Sequence, residues 1–283
     1  MGIESIGVVG AGQMGRGIAQ TAAAAGYRVT LSDLNADTAQ SGKDVIAKGL
    51  ERLVGKGKIT PSDAELTLDR IVPINTLAEH QGAGIVIEAA TENEALKASI
   101  FKQLDEALSE ETVLATNTSS ISVTRLGGTT SRPDRVIGMH FMNPVPVMKL
   151  VEVISGIATS EQTLLATRTL AEKMGKTVVV SADFPGFIVN RILMPMINEA
   201  AFTLMEGVAS ARDIDAAMKL GTNQPMGPLV LADFIGLDTC LAIMEVLHEG
   251  MGDSKYRPCP LLRRLVDAGR LGKKTGQGFH SYS

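Results

Sequence analysis

Cysteine is scarce in this 283-residue sequence, which contains only Cys240 and Cys259. Two thiols are too few to hold a metal cluster by themselves, and they form no disulfide framework of the kind that stabilises small secreted domains. Unpaired thiols are typical of a reducing compartment. The sequence therefore predicts a cytoplasmic protein without a bound metal.

An excess of positive charge is also lacking, because 27 Lys and Arg residues are set against 31 Asp and Glu residues. A net charge of −4 gives no general attraction for nucleic acid. The amino terminus has no basic segment of the kind that begins a secretion signal. The most apolar long stretch, 187–205, contains Asn190, Arg191 and Glu199, which would be costly to bury in a bilayer. We expect neither a nucleic-acid nor a membrane partner.

Short apolar runs of the β type are plentiful up to about residue 181, and they alternate with longer helical patterns. Strands that alternate with helices indicate right-handed crossovers and a parallel sheet covered on both faces. The sequence therefore predicts an α/β fold with a doubly wound, mostly parallel sheet. The predicted strands lie at 6–9, 28–31, 71–74, 85–88, 112–115, 136–141, 150–154 and 177–180.

Helix boundaries are visible in the same part of the chain. Gly26 follows the first helical pattern, and Thr60-Pro61 offers an N-cap with a first-turn proline. Thr159 and Gln162 have the spacing of a capping box, which predicts a helix that ends at Gly175.

Beyond Pro185-Gly186 only helical patterns remain. They predict helices at 187–206, 211–220 and 228–248, the second entered through Ser210 with Asp213 three residues later. A change of pattern at a Pro-Gly pair is typical of a domain boundary. We predict a first domain at 1–183 and a smaller all-helical domain at 184–283.

A glycine-rich turn directly follows the first predicted strand and opens the first helix. In Gly10-Ala11-Gly12-Gln13-Met14-Gly15 the glycines allow a tight turn, close approach to a pyrophosphate, and close packing of helix on strand. Asp33 ends the second strand, where a carboxylate accepts hydrogen bonds from a ribose diol and disfavours a 2′-phosphate. The pattern predicts a Rossmann-like domain that binds NAD rather than NADP. A tight turn that binds nothing is the alternative.

His140 and Glu152 lie in two apolar runs at 136–141 and 150–154. An unpaired carboxylate is costly among apolar neighbours, so Glu152 needs a partner. If the two runs pair as antiparallel strands, residues whose numbers add up to 292 lie opposite each other, and His140 faces Glu152. The sequence thus predicts a histidine–carboxylate pair, with a satisfied core histidine as the alternative.

Lys48, Arg52 and Lys56 recur every four residues on the helix after Asp33. A solvated face is one interpretation, with Asp44 pairing to Lys48. The other is a binding surface for the 3′-phosphate of coenzyme A, formed by Arg52 and Lys56.

Three further motifs can be considered together with the glycine-rich turn. They are Asn117-Thr118-Ser119-Ser120, Gly138-Met139-His140-Phe141-Met142-Asn143-Pro144 and Pro185-Gly186-Phe187-Ile188-Val189-Asn190-Arg191. With these motifs, the chain resembles the L-3-hydroxyacyl-CoA dehydrogenase family over essentially its whole length. The resemblance implies NAD-dependent interconversion of a 3-hydroxyacyl-CoA and a 3-oxoacyl-CoA, with (S)-3-hydroxybutyryl-CoA and acetoacetyl-CoA as the expected pair.

The resemblance also implies the roles of individual residues. The residue that matches His140 is the catalytic base, the one that matches Glu152 holds it, and those that match Ser119 and Asn190 contact the substrate. The 184–283 domain is expected to bind substrate and to form a homodimer, because its apolar surface exceeds what a small helical domain buries alone. Further positions match cofactor contacts or lie beside them: Glu92, Lys97, Asn117, Ser119, Asn143 and Lys274.

Two other functions remain open at this point. A related dehydrogenase acting on a sugar acid such as L-gulonate would share the catalytic motifs, and a catalytically silent NAD-binding protein would share the glycine-rich turn. Hydroxy-acid dehydrogenases that use a catalytic lysine at the start of the helical domain fit less well, because no lysine occurs between Lys176 and Lys219.

Overall fold

The computed structural model of the chain describes residues 2–282. They fall into two compact units, Met1–Phe184 and Pro185–Ser283, whereas the sequence places the boundary one residue earlier. Among the described residues, no helix combines the length and hydrophobicity needed to cross a bilayer.

The first unit contains an eight-stranded sheet with the order β3-β2-β1-β4-β5-β6-β7-β8. The first six strands are parallel, β7 runs antiparallel to β6, and β8 is parallel to β7. This arrangement confirms the predicted doubly wound, mostly parallel sheet. The strands are β1 (Ser5–Val9), β2 (Arg28–Ser32), β3 (Ile71–Pro73), β4 (Ile85–Glu88), β5 (Val113–Thr116), β6 (Val136–Phe141), β7 (Leu150–Ser155) and β8 (Thr177–Ala182).

Helices connect the strands and cover the sheet. The central strands are buried along their whole length because helices lie on both faces, as their continuous apolar sequences predict. The helices of this unit are α1 (Gln13–Ala24), α2 (Ala36–Gly55), α3 (Pro61–Asp69), α4 (Glu94–Ala107), α5 (Val123–Gly127) and α6 (Glu161–Lys173).

The helix caps agree with the sequence in one place and differ in another. Thr60 and Asp63 form the reciprocal capping box that opens α3. The predicted cap at Thr159 is wrong, because Ser160 is the N-cap of α6 and accepts from Thr163 N. The Thr159 hydroxyl instead donates to Val136 O and accepts from Gly156 N, so it fastens the loop before the helix.

His80 is a buried polar group inside the first unit. Its ring nitrogens lie 2.7 Å from Thr30 Oγ1 and 2.9 Å from Ser32 Oγ, both on β2. Its side chain also lies against Gly7 of β1, where a Cβ would come within 2.7 Å of the ring. Burial lowers the pKa of His80 from its usual value of 6.5 to about 4.

The second unit is all-helical, with a core formed mainly by α7, α10 and α11. A single helix predicted at 228–248 is wrong: the structure has two helices separated by Gly236, whose φ of 106° breaks the helix. The short helix Pro260–Asp267 was not predicted from the sequence. The helices are α7 (Val189–Met205), α8 (Ala211–Gly221), α9 (Pro228–Ile235), α10 (Leu237–Met251) and α11 (Pro260–Asp267).

Candidate active site

The glycine-rich turn lies between β1 and α1, at the carboxyl edge of the parallel strands where open α/β sheets bind their ligands. Gly10 has a φ of 101°, and a Cβ at this position would lie 2.7 Å from Ala89 O. A Cβ on Gly15 would overlap Gly10 O, whereas one on Gly12 would meet no atom within 4 Å. Gly10 and Gly15 therefore shape the turn, and Gly12 leaves the start of α1 open to a phosphate.

Asp33 joins the end of β2 to the glycine-rich turn. Its Oδ2 accepts from Ala11 N at 2.5 Å and its Oδ1 from Leu34 N at 2.7 Å. The carboxylate borders a cavity of about 560 Å³ that Gly10, Gly12 and the apolar Leu77, Leu96 and Ile100 also line. A cavity with a carboxylate at its edge and apolar side chains along its wall suits a nucleoside, because the ribose is polar and the base is flat and largely apolar.

His140 and Glu152 occupy facing positions on β6 and β7, so the predicted antiparallel register is confirmed. His140 Nδ1 lies 2.7 Å from Glu152 Oε2, and the two side chains are 9% and 1% exposed. Because a carboxylate only accepts, Nδ1 carries the hydrogen when the ring is neutral, and the basic lone pair of that tautomer is on Nε2. The pair is arranged for general acid–base chemistry.

Asn117 aligns the loop after β5 with the end of β6. Its Oδ1 accepts from Phe141 N at 2.9 Å, next to His140 in sequence. The predicted substrate contact Ser119 lies two residues further along this loop, and its amide donates to Glu92 Oε1 at 2.9 Å. Residues 117–120 and the end of β6 are thus held at one edge of the sheet.

Lys97, expected to contact the cofactor, has a side chain that is only 1% exposed. Its ammonium lies 2.7 Å from Glu88 Oε1 and 3.5 Å from Glu92 Oε2, and it also donates to Ala90 O. Burial by itself would raise the pKa of Glu92, but the positive charge of Lys97 and hydrogen bonds from residues 118–120 lower it on balance.

Asn143 is exposed in the turn that joins β6 to β7, ahead of a cis peptide bond to Pro144. Lys176 fastens this turn to the start of β8, because its Nζ donates to Val145 O at 2.5 Å and to Met148 O at 2.9 Å. Burial lowers the pKa of Lys176.

Asn190 and Lys274 belong to the second unit. Asn190 is buried in the first turn of α7. Lys274 lies in a single helical turn after α11, and its ammonium is 2.7 Å from both carboxylate oxygens of Asp238 in α10. Predicted site residues are therefore distributed over both units, with the histidine–carboxylate pair and the glycine-rich turn in the first.

Lys48 and Arg52 are exposed along α2, and Lys56 is exposed at the C-cap of this helix. The expected pairing of Asp44 with Lys48 is wrong, because Asp44 Oδ1 accepts from Gln40 Nε2 at 2.7 Å instead. Within residues 2–282, none of the three cations lies within salt-bridge distance of a carboxylate.

Two family models together cover almost the entire chain. The NAD-binding domain of 3-hydroxyacyl-CoA dehydrogenase matches residues 5–184, and the C-terminal domain of the same family matches residues 186–282. The chain belongs to the 3-hydroxyacyl-CoA dehydrogenase family. Its first unit is therefore an NAD-binding domain, as the glycine-rich turn predicts.

Relatives of this dehydrogenase match over the full length. A probable 3-hydroxybutyryl-CoA dehydrogenase of Bacillus subtilis is 60% identical, covering 100% of this chain and 98% of the relative. A 3-hydroxybutyryl-CoA dehydrogenase of Bradyrhizobium diazoefficiens is 56% identical, covering 99% of this chain and 96% of the relative. The crystal structure of (S)-3-hydroxybutyryl-CoA dehydrogenase from Ralstonia eutropha superimposes with a TM-score of 0.97 at 51% identity, covering all of both chains.

Two buried residues of this dehydrogenase, Glu88 and Lys176, were not predicted from the sequence. Glu88 ends an otherwise apolar strand and pairs with Lys97, and its position among apolar residues is the same signal that identified Glu152. Lys176 has no comparable signal, because its partners are backbone carbonyls that no local pattern identifies.

Proposed function

We propose that this family member interconverts (S)-3-hydroxybutyryl-CoA and acetoacetyl-CoA, using NAD, with His140 as the general base and acid. The observation that carries the proposal is the buried pair of His140 Nδ1 and Glu152 Oε2, 2.7 Å apart, in the unit that holds the glycine-rich turn. Relatives 55–60% identical over nearly the whole chain are named 3-hydroxybutyryl-CoA dehydrogenases or probable ones, which favours the four-carbon substrate.

The residues at the glycine-rich turn fit NAD. The start of α1 is open in front of Gly12, the turn has no room for side chains at Gly10 and Gly15, and Asp33 borders the neighbouring cavity. These features suit a pyrophosphate at the helix start and a ribose diol at the carboxylate. NAD, when bound, supplies the hydride acceptor for the oxidation.

His140 would accept the proton of the substrate's 3-hydroxyl at Nε2 during oxidation and return it during reduction. Glu152 accepts the hydrogen of Nδ1, so it fixes the ring's tautomer and stabilises the positive charge that develops on the imidazole. Glu152 can orient the ring and stabilise its charge without moving, and its side chain is fully buried.

Ser119 and Asn190 are proposed to contact the substrate near its reacting oxygen. Both carry polar groups that can hydrogen-bond an oxygen atom whose charge changes during the reaction. We further propose that Glu92, Lys97, Asn143 and Lys274 contact the cofactor and that Asn117 lies beside these contacts.

Arg52 and Lys56 are proposed to bind the 3′-phosphate of coenzyme A. They are exposed on α2 without a carboxylate partner among the described residues, so their charges remain available to an anion. Coenzyme A also distinguishes the proposed substrate from a sugar acid, which carries no such phosphate.

The second unit is proposed to form a homodimer, and the protein to be cytoplasmic. Large apolar side chains are exposed on this unit, namely Ile192, Val208, Leu220 and Phe234, at 63–81% of their surface. Burying them against a second copy would remove this surface from water. Cys240 and Cys259 are buried free thiols, as expected in a reducing compartment.

Oxidation of NADH, followed by its absorbance, tests the proposed activity. We expect turnover with acetoacetyl-CoA and none with free acetoacetate or with the oxidised form of L-gulonate. Turnover with the sugar acid alone would favour the related sugar-acid dehydrogenase. Binding of NADH without turnover of any of these substrates would indicate a catalytically silent protein.

A further inference from the structure

Lys176 is a buried lysine that binds backbone carbonyls instead of a carboxylate. Its ammonium donates to Val145 O and Met148 O, both in the turn that joins β6 to β7. Within residues 2–282, no carboxylate lies at salt-bridge distance from this ammonium. Burying an ammonium is costly, and here two hydrogen bonds that hold the turn offset the cost.

The backbone of Lys176 is fixed by the end of α6. Gly175 has a φ of 75° and ends the helix, and the Lys176 amide donates to Ala171 O at 3.1 Å. The next residue, Thr177, donates to Lys149 O at 2.8 Å and begins the pairing of β8 with β7. The lysine side chain therefore starts from a backbone position that is fixed on both sides, next to the turn that it binds.

The same turn packs against α1. Val145 is 2% exposed and lies against Gly17, where an added Cβ would come within 2.8 Å of the Val145 Cβ. Gly17 therefore leaves the space that Val145 occupies. Because α1 begins at the glycine-rich turn, this contact links the β6–β7 turn to the helix whose start is proposed to receive the pyrophosphate.

Asn143 is exposed at the start of the β6–β7 turn. The amides of Val147 and Met148 both donate to Pro144 O, at 3.0 Å and 2.9 Å, so the turn closes on the residue that follows Asn143. The ammonium of Lys176 binds carbonyls of this same closed segment. The backbone that presents Asn143 is thus held by the lysine and by the packing on α1.

We propose that Lys176 is a positioning residue for Asn143, because its ammonium fixes the turn from which the Asn143 side chain reaches the cofactor. This role rests on the proposed function, in which Asn143 contacts NAD. Lys176 acts through the backbone of the turn, since both of its acceptors are carbonyls of that turn. An ammonium suits the task because one nitrogen carries several donors and can hold two carbonyls at once.

Lys176→Met tests this role by removing the donors while keeping a long, flexible side chain. NADH is titrated by fluorescence without substrate, well below the unfolding midpoint of each variant. We expect the dissociation constant of NADH to rise by about fivefold, on the scale of one lost hydrogen bond. Lys173→Met is the matched control, because it changes an exposed lysine in the last turn of α6, and it should leave the dissociation constant unchanged.

A double-mutant cycle distinguishes positioning of Asn143 from a general loss of stability. The variants are Lys176→Met, Asn143→Ala and the double variant. If Lys176 acts through Asn143, the double variant should bind NADH no more weakly than the weaker single variant. Losses of affinity that multiply in the double variant would overturn the proposal, and so would parental NADH affinity in Asn143→Ala.

Gly17→Ala disturbs the turn at its other contact and leaves Lys176 intact. The added methyl would meet the Cβ of Val145 rather than the flexible end of a side chain, so the backbone of the turn must shift. NADH affinity should fall, whereas parental affinity in this variant would contradict the proposal. Gly49→Ala is the matched control, since an added Cβ on this helical glycine meets no atom within 4 Å.

Amide hydrogen exchange reports on the turn without cofactor or substrate. In Lys176→Met, the amides of Val147 and Met148 should exchange faster than in the parental protein, because the turn that they close has lost its anchor. The amide of Val151, within β7, should remain slow, and Lys173→Met should change none of the three. Unchanged exchange at Val147 and Met148 would show that the lysine does not hold the turn.

Turnover of acetoacetyl-CoA by the parental protein tests the proposed function separately, because neither the titrations nor the exchange measurement uses substrate. An inactive parental protein with the expected NADH and exchange results would refute the activity and leave the positioning role of Lys176 standing. An active parental protein whose Lys176→Met variant is less stable but binds NADH normally would leave the activity standing and make the lysine purely structural.

Discussion

His140 and Glu152 face each other across two buried strands, so a change in either side chain should affect the chemistry more than the fold. His140→Asn removes the proton acceptor while keeping a polar side chain. We expect kcat to fall by roughly 10²–10⁴-fold, the usual contribution of general acid–base catalysis. NADH titration and the thermal unfolding midpoint should remain near parental values, and loss of both would show that the histidine is structural.

Glu152→Gln tests the other member of the pair. The amide keeps the shape of the carboxylate and loses the charge that stabilises the imidazolium. We expect most of the rate to be lost and the acidic limb of the oxidation profile to move to lower pH, measured as kcat/KM against pH. Parental rates with an unchanged profile would contradict the pair's role and make Ser119 the next residue to test.

His80 should make stability depend on pH. Its pKa is about 4 in the fold against 6.5 when solvated, so the unfolded chain binds the proton first as pH falls. The free energy of unfolding should therefore be fully maintained above pH 6.5 and should decrease by up to about 3 kcal/mol by pH 4.

Urea unfolding of the first unit, compared between the parental protein and His80→Gln, isolates this contribution. The glutamine can still donate and accept near Thr30 and Ser32 but does not titrate. The stability difference between the two proteins should shrink as pH falls from 7 to 4.5. A difference that stays constant would show that His80 does not take up a proton on unfolding.

Individual site residues could be predicted from sequence where they belong to a motif, as in the glycine-rich turn, or where a charged side chain lies among apolar residues. Glu152 among apolar residues indicated a buried partner, and the numbering of two strands identified that partner as His140. Lys176 could not be found in this way, because its partners are two carbonyls about 30 residues away in a turn. The interaction depends on tertiary packing, which one sequence does not reveal.

At the scale of elements, variants of α2 test whether Arg52 and Lys56 bind coenzyme A. Arg52→Ala with Lys56→Ala removes two exposed charges far along the helix from its start at Ala36. If they bind the 3′-phosphate in substrate and transition state alike, KM for acetoacetyl-CoA should rise while kcat stays nearly constant.

A matched control uses two exposed cations on α6, Arg168→Ala with Lys173→Ala, which should leave KM unchanged. The effect on α2 should also shrink with a substrate truncated to the pantetheine thioester, which lacks the phosphate. Equal KM values for the α2 variant and the parental protein would make the three cations an ordinary solvated face.

Strands and helices were predicted best where their own sequence contains the pattern that identifies them, such as a continuous apolar run. Val136–Phe141 and Ile85–Glu88 match the predicted strands to the residue, because buried parallel strands are continuous apolar runs. The helix break at Gly236 was missed, since the apolar period continues through the glycine and only its φ of 106° interrupts the helix. Ser160 and Thr159 are adjacent cap candidates, and tertiary contacts decided between them.

At the scale of the whole molecule, the exposed apolar surface of the second unit predicts self-association. Light scattering at micromolar concentration should give about 60 kDa, twice the 29.8 kDa of one chain, since two-fold dimers are the commonest oligomers. The measured mass should fall toward that of one chain only when the protein is diluted well below micromolar concentration. A mass near that of one chain at micromolar concentration would contradict the dimer.

The facing register of β6 and β7 has a consequence for how this sequence can vary. Successive side chains of a strand point to opposite sides, so one residue inserted between Leu150 and Glu152 would turn the carboxylate away from His140. An insertion in the exposed stretch 146–149 would instead lengthen a surface loop. Substitutions at the apolar positions of β7 are therefore tolerable wherever they fit the core, whereas a single-codon insertion or deletion just ahead of Glu152 would separate the pair without changing either residue.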